Sequence, residues 1–166
     1  MASDGLDARR HEGSVAVLTA ASRGIGLATA QRLVREGARV VITGRKPQAL
    51  ALAVESLGSE DHAVGVAGHA ADGDHQDQTL DTALRHFGRI DALVNNAGIN
   101  PAYGPLLDSD IDVGRTVLEV NVLAAFAWTQ KAVRAGLGTG PGGGGRSSTS
   151  GPSPASAPPA SSAGMA

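Results

Sequence analysis

The feature that most constrains the fold of this chain is an alternation of short apolar runs with longer segments of helical spacing. The apolar runs have the length of buried strands, and a glycine follows each of the first three helical segments, as it commonly does at helix ends. Such alternation is typical of βαβ units and a parallel sheet. The predicted strands are Val15–Leu18, Arg39–Thr43, Ala63–Ala67 and Ile90–Val94, and the predicted helices are Ile25–Glu36, Pro47–Leu57, Asp74–Phe87 and a mostly helical stretch, Asp108–Ala135.

Right-handed crossovers between parallel strands place helices on both faces of the sheet. The sequence therefore predicts an α/β fold, a three-layer Rossmann-type doubly wound parallel sheet with about four strands. This domain occupies residues 13–135, after a polar and flexible N-terminus at 1–12. Residues 136–166 are rich in Gly, Pro, Ser and Ala, so they bury too little apolar surface to offset their chain entropy and are predicted to form a disordered tail.

The composition excludes several classes of protein. A formal net charge of -2 argues against broad attraction to nucleic acid. Because the chain has no cysteine, it has neither a disulfide framework nor a thiolate zinc site. No apolar run reaches the roughly 18 residues of a membrane span, and residues 1–12 lack the apolar core of a secretory signal. These observations favour a cytoplasmic protein without nucleic-acid or membrane partners.

The turn after the first predicted strand, residues 19–26, carries a Gly-Ile-Gly sequence just before a predicted helix. Glycine lets the backbone approach a pyrophosphate closely, and the helix N-terminus offers free N–H groups and a positive dipole end. The placement between strand and helix favours a dinucleotide-binding turn over the alternative, an ordinary strand-to-helix turn. The residues predicted to contact the cofactor here are Thr19, Ala20, Ser22, Arg23, Gly24, Ile25 and Gly26.

Two cations follow the second predicted strand, where a dinucleotide fold meets the adenosine ribose. An acidic residue at this place binds the 2′-hydroxyl, whereas an arginine accommodates a 2′-phosphate. In this sequence Arg45 and Lys46 follow the strand without an Asp or Glu, and we expect Arg23 in the turn to reach the same phosphate. We therefore predict NADP(H) as the cofactor in preference to NAD(H). The alternative is that these are solvated surface cations.

A run of four residues, Asn95-Asn96-Ala97-Gly98, follows the fourth predicted strand, and Glu119-Val120-Asn121-Val122 lies in the helical stretch beyond it. With the turn at 19–26, these motifs resemble those of the short-chain dehydrogenase/reductase family, in order and spacing, over about residues 12–135. The resemblance implies an NAD(P)-dependent oxidoreductase whose small-molecule substrate is a carbonyl compound or a secondary alcohol. It also implies the strand order 3-2-1-4, with further strands beyond the fourth.

By the same resemblance, the residues from Asn95 to Gly98 stabilise the central sheet and border the cofactor. Asn121 matches the family's active-site asparagine, which holds a water molecule in a proton relay. It is the one catalytic residue of the family that this sequence retains. From the residues alone, Asn121 is equally a helix kink or a satisfied buried amide.

The sequence departs from the family pattern at two positions. Ala20 stands where the family has its first turn glycine, and if this position needs a positive φ the alanine costs roughly 1 kcal/mol. His69 stands where the family usually has an aspartate beside the adenine ring. His62, His69 and His75 follow no metal-binding motif, so they are predicted to be solvated histidines and no metal site is expected.

The family's Tyr-x-x-x-Lys motif and its preceding serine are not found in this sequence. The single tyrosine, Tyr103, is followed by Gly-Pro-Leu-Leu and is predicted to line the cleft, and the last lysine, Lys131, has no tyrosine near it. The chain is therefore predicted to be a catalytically incomplete N-terminal part of such an enzyme, with the family's homo-oligomer interface largely missing. The alternatives are a non-catalytic NADP(H)-binding module and a non-functional product.

The low complexity of residues 146–166 favours a shifted reading frame. Codons compatible with these residues, read in another frame, encode a strand, a serine and then a tyrosine, as in the missing part of the family's active site. Codon degeneracy permits this interpretation without requiring it, and the rival one is a natural disordered appendage. We expect resequencing of the gene across codons 135–166 to reveal that frame; an intact frame whose codons exclude it would contradict the frameshift hypothesis.

Overall fold

The computed structural model describes residues 9–101 and 104–139. The predictions for residues 1–8, for Tyr103 and for the tail from 140 to 166 lie outside this part of the chain. Among the described helices, none has both the length and the apolar character that a bilayer crossing requires. The elements are β1 (Val15–Leu18), α1 (Gly24–Arg35), β2 (Arg39–Gly44), α2 (Pro47–Ser56), β3 (Ala63–Ala67), α3 (Gly73–Phe87), β4 (Ala92–Val94), a 3-10 turn (Leu106–Asp108), α4 (Ile111–Leu118), a π-helical turn (Glu119–Leu123) and α5 (Ala124–Arg134).

The four strands form a parallel sheet in the order β3-β2-β1-β4. Strand β1 lies inside the sheet, where Val17 is opposite Val41 of β2 on one side and Leu93 of β4 on the other. Strand β2 also pairs with β3, and Ile42 lies opposite Gly65. The predicted parallel α/β sheet and its strand order are therefore confirmed.

The core is divided between the two faces of the sheet, because successive residues of a strand point to opposite sides. Val15 and Val17 pack with α3 and α5 on one face, whereas Ala16 and Leu18 pack with α1 and α2 on the other. Each fully buried Val or Leu side chain stabilises the fold by about 1.5–3 kcal/mol. Because both faces of the sheet carry such side chains, helices cover both faces and the fold has three layers. The buried helix residues of these two core clusters are Ala30, Leu50, Ala53, Leu80, Ala83, Phe87, Trp128 and Ala132.

Strand β4 begins at Ala92, later than the predicted start at Ile90. The carbonyl of Ile90 accepts a hydrogen bond from the N–H of Gly138 at 2.9 Å. Asp91 bonds to Val15 through both its backbone and its side chain: its N–H donates to the Val15 carbonyl, and its carboxylate accepts the Val15 N–H, each at 2.8 Å. A side chain thus takes the place of a backbone acceptor in the ladder, and regular pairing begins only at the next residue.

The carboxylate of Asp91 also forms a bidentate ion pair with Arg89, with N–O distances of 2.7 and 2.5 Å. Both side chains are mostly buried. Burial by itself would raise the pKa of Asp91, but the hydrogen bonds from Arg89 and Val15 outweigh it and hold this pKa below its ordinary value of 3.8. The ion pair therefore stabilises the start of β4 beside β1.

Replacing Asp91 with asparagine removes the charge and leaves an oxygen for the Val15 N–H. We expect Asp91→Asn to lower the free energy of unfolding at neutral pH by about 1–3 kcal/mol, because Arg89 loses its charged acceptor. A depressed carboxylate pKa stabilises the fold above the unfolded-state pKa and stops doing so as the pH falls, so the difference from wild type should shrink as the pH drops below the ordinary value of 3.8.

Urea unfolding at neutral and acid pH measures this difference. The matched control is Asp112→Asn, which breaks the ion pair between Asp112 and Arg115, both of them exposed, and should change stability little. An equal loss in the two variants would contradict the role given to Asp91.

Candidate active site

The carboxyl ends of the four strands lie at one edge of the sheet, because the strands are parallel. The turn at 19–26 follows β1, Arg45 follows β2, residues 68–72 follow β3 and Asn95 follows β4. In open parallel sheets, ligands usually bind in the crevice outside these strand ends. The segments predicted to contact the cofactor therefore lie along the same edge.

The turn after β1 contains two residues in the left-handed region. Ala20 has φ 52° and Gly24 has φ 57°, and Ala20 is the only non-glycine residue with a positive φ in the described part of the chain. A Cβ atom at Gly26 would lie 2.6 Å from Nδ2 of Asn96 and 2.8 Å from Cα of Ala21. Gly24 thus allows the left-handed backbone of the turn, and Gly26 allows the start of α1 to lie close to Ala21 and Asn96.

Helix α1 begins in this turn without a side-chain cap. Arg23 is the N-cap residue and makes no capping hydrogen bond, and the first turn of the helix holds no acidic residue. Ile25 lies beside these N–H groups and is 81% exposed. Uncapped N–H groups at the positive end of a helix dipole attract anions. The N-terminus of α1 is therefore suited to a negatively charged ligand.

The hydroxyl of Thr19 joins the end of β1 to the end of β4. Thr19 is 1% exposed, and its Oγ1 accepts hydrogen bonds from the N–H groups of Asn96 at 3.0 Å and Ala97 at 2.9 Å. In return, Nδ2 of Asn96 donates to the carbonyls of Thr19 and Ala20, both at 3.1 Å. These bonds position the glycine turn relative to the segment after β4.

Two further asparagines attach the segment after β4 to the helices beyond it. Nδ2 of Asn95 donates to Oγ1 of Thr129 on α5 at 3.2 Å. Asn121, in the π-helical turn, accepts the N–H of Ile99 at 2.8 Å and donates to the carbonyl of Ile99 at 2.9 Å. A Cβ at Gly98 would lie 3.6 Å from Oδ1 of Asn121, an ordinary contact. Asn121 is exposed, so the alternative that it is a buried amide was wrong.

The three cations of the predicted site are exposed on neighbouring segments. Arg23, Arg45 and Lys46 have no hydrogen-bond or ion-pair partner among residues 9–101 and 104–139. A Cβ at Gly44 would lie 3.0 Å from both Cβ and Oγ of Ser22, so the end of β2 touches the turn after β1. Arg23 follows Ser22 in the chain and Arg45 follows Gly44, so the two arginines lie on adjacent segments.

The prediction that His75 is solvated was wrong. His62 and His69 are exposed, whereas His75 is buried, with 5% of its surface accessible. The carboxylate of Asp72 caps α3 and accepts the N–H of His75 at 3.3 Å, which places this residue in the first helical turn. The signal was available, because His75 lies one turn before the buried Thr79 on the same helix face. The described residues bring together no group of three metal-ligating side chains.

Ala20 adopts a backbone conformation that costs an L-residue roughly 1–2 kcal/mol, and the greater unfolded-state entropy of glycine offsets part of that cost. We expect Ala20→Gly to raise the free energy of unfolding by up to about 1 kcal/mol, measured by chemical denaturation. The control is Ala28→Gly, on an exposed position of α1, which should lower it by about 1 kcal/mol. Equal losses in the two variants would show that Ala20 is not strained.

Comparison with known proteins places these features in a family. Residues 14–144 match the family model described as short chain dehydrogenase. The chain is 47% identical over 124 residues to dehydrogenase/reductase SDR family member 4 of Caenorhabditis elegans, a match that covers 74% of this chain and 48% of that protein. The chain thus spans about half the length of the curated relatives it matches.

Solved structures with the same fold include a short-chain dehydrogenase/reductase described as a glucose/ribitol dehydrogenase from Brucella melitensis, with a TM-score of 0.71 and 31% identity over 75% of this chain and 52% of the other. A 3-ketoacyl-(acyl-carrier-protein) reductase from the same organism, solved in complex with NADH, has a TM-score of 0.70 and 31% identity over 75% of this chain and 50% of the other. The sheet, the motifs and these matches agree, and the chain belongs to the short-chain dehydrogenase family.

Proposed function

We propose that this chain binds NADP(H) at the carboxyl edge of its sheet and acts as the cofactor-binding part of an oxidoreductase that interconverts a carbonyl group and a secondary alcohol. The observation that carries the proposal is the turn at 19–26, which combines left-handed backbone, a close approach at Gly26 and an uncapped helix N-terminus. A pyrophosphate needs these features, since its oxygens must be met by backbone N–H groups.

The surroundings of the turn fit a nucleotide. A Cβ at Gly24 would meet nothing within 4 Å, so the space over this residue is open. The first N–H groups of α1 have no side-chain acceptor, and the cationic Arg23 stands next to them. When bound, the nicotinamide ring would supply or accept the hydride. The chain itself binds the phosphates and, through Thr19 and Asn96, holds the turn in place.

The preference for NADP(H) rests on charge at the end of β2. No acidic residue is present there to bind a ribose 2′-hydroxyl, and Arg45 and Lys46 have no intramolecular partner in the described part of the chain. Arginine forms bidentate hydrogen bonds with phosphate, and these are among the stronger polar contacts in proteins. A related reductase has been solved with NADH, so the family alone does not decide the cofactor and the cations of this chain carry the argument.

Asn121 takes the role that the family resemblance implies, holding a water molecule for proton transfer. Both the oxygen and the nitrogen of its side-chain amide bond to the backbone of Ile99, so it also positions the segment after β4.

The second candidate function is a non-catalytic NADP(H)-binding module. In the residues at hand the single tyrosine, Tyr103, has no lysine four residues later. Cofactor binding without hydride transfer to carbonyl substrates would support the module, and turnover would support the enzyme.

The test of cofactor choice is a fluorescence titration of the protein with NADPH and with NADH. We expect Arg45→Ala to weaken NADPH binding by roughly ten- to a hundredfold, the worth of a charge-assisted hydrogen bond of about 1.5–3 kcal/mol. Binding of NADH should change little, because NADH has no 2′-phosphate for this side chain to contact.

The matched control is Arg35→Ala, which removes an exposed arginine at the opposite end of α1 and should leave both affinities unchanged. If Arg45→Ala weakened both cofactors equally, the residue would not distinguish them. If wild-type protein bound neither cofactor, the proposed function itself would be wrong.

A further inference from the structure

His75 is a buried titratable group that the proposed cofactor site does not use. Both of its ring nitrogens lack a hydrogen-bond partner in the described part of the chain, as does Oε1 of the adjacent Gln76. Polar atoms without partners are uncommon in protein interiors, and such groups call for an explanation. His75 belongs to helix α3, and its ring lies against helix α5 and against residues 68–72, which we call the post-β3 loop.

The ring is enclosed by close packing. A Cβ atom at Gly68 would lie 2.2 Å from Nδ1 of His75, so the ring occupies the space that a larger residue in the loop would need. On the other side the ring meets Trp128 of α5 edge-on, with centroids 6.0 Å apart. Nε1 of Trp128 and Nε2 of Gln76 both donate to the carbonyl of Ala70 at 2.9 Å. The two helices thus hold the loop with the His75 ring between them.

We propose that His75 is a pH-sensitive lock: its neutral ring holds the post-β3 loop against α3 and α5, and protonation of the ring releases the loop. An imidazolium has two N–H donors and a full charge, and both require acceptors or water. The packed site provides no protein acceptor for either donor among the described residues. Opening the loop is the direct way to hydrate the charged ring.

The charges around the ring do not reverse this argument. Burial has the largest effect on the pKa of His75 and lowers it below the ordinary value of 6.5; the charge of Asp72 acts in the opposite direction, and that of His69 adds to the lowering. Lys131 is held by the carbonyl of Gly73 and by Asp77. The other charged or titratable groups on the elements packed against the ring are Asp72 and His69 on the loop, Asp74, Asp77, Asp81, Arg85 and His86 on α3, and Lys131 and Arg134 on α5.

The loop is connected to the edge of the sheet where we place the cofactor. The N–H of Gly68 donates to the carbonyl of Gly44 at 3.1 Å, and Gly44 packs against Ser22 of the turn after β1. Release of the loop therefore disturbs the end of β2 and weakens cofactor binding. This consequence rests on the proposed function, whereas the lock itself does not.

The test uses the fluorescence of Trp128, the only tryptophan in the chain. A protonated histidine next to an indole quenches the indole's emission. Opening of the loop also exposes the indole of Trp128 to water. In a titration of the full chain from about pH 8 to about pH 5, we expect a reversible change with its midpoint below 6.5, the ordinary pKa. The pKa of His75 is lower in the folded chain than in the unfolded chain, so the unfolded chain binds the proton at a higher pH. The free energy of unfolding should therefore fall as the pH drops below 6.5.

The His75→Leu variant fills the site with an apolar side chain of similar size and should lose both the fluorescence change and the matching decline in stability. The control His69→Gln removes the neighbouring exposed histidine and should retain the transition. The lock is overturned if His75→Leu keeps the transition at the same midpoint, or if wild-type fluorescence stays constant until the whole protein unfolds.

A second measurement covers the case in which His75→Leu fails to fold. The chain has five histidines, and their ring resonances can be followed by NMR in the wild-type protein through the same titration. One resonance should titrate at the same midpoint as the Trp128 signal, below 6.5; if none of the five does so, the proposal is overturned. Neither measurement needs the cofactor, so failure to bind NADPH would refute the proposed function and leave the lock to be judged on its own.

Discussion

The hydrogen bonds of the buried Thr19 hydroxyl are the interaction on which the rest of the site depends. Oγ1 of Thr19 accepts two backbone N–H groups from the segment after β4, across more than seventy residues of sequence. A buried donor left without its acceptor costs about 1–3 kcal/mol, so the two strand ends are held together strongly. The close approach of Gly26 to Asn96 follows from this link, because the turn has no room to move away.

Charged groups of the described chain differ in whether they are paired. Arg89 is paired with Asp91 and Lys131 with Asp77, whereas the exposed Arg35 at the far end of α1 has no such partner. At the edge, Arg23 and Arg45 have no such partner and helix α1 starts without a cap. A polar group that only stabilises the fold can bond to another group of the chain. A polar group that binds a ligand needs a donor or acceptor that no other group of the chain uses. The uncapped N–H groups and the cations beside them, taken together, are what the proposed cofactor site rests on.

The secondary structure was predictable to a large extent, because the apolar pattern of each strand is local. Val15–Leu18 and Ala63–Ala67 were predicted with the bounds that the structure shows. The start of β4 was not predictable, since it depends on a side chain, Asp91, that pairs with a distant strand. The burial of His75 was missed although its position on the helix face gave a signal, and it is completed by Trp128, which is far from it in sequence.

For the candidate site, the sequence by itself determined which residues stand at the strand ends, because strand periodicity and the glycine turn are local properties of the chain. It also carried the family motifs that place Asn121 and the Asn95–Gly98 segment in order. Only the tertiary structure decided what these residues contact. The pairing of Thr19 with Asn96, the contact of Ser22 with Gly44 and the enclosure of His75 all join segments far apart in the chain, and such contacts exist only once the parallel sheet has brought its strand ends together.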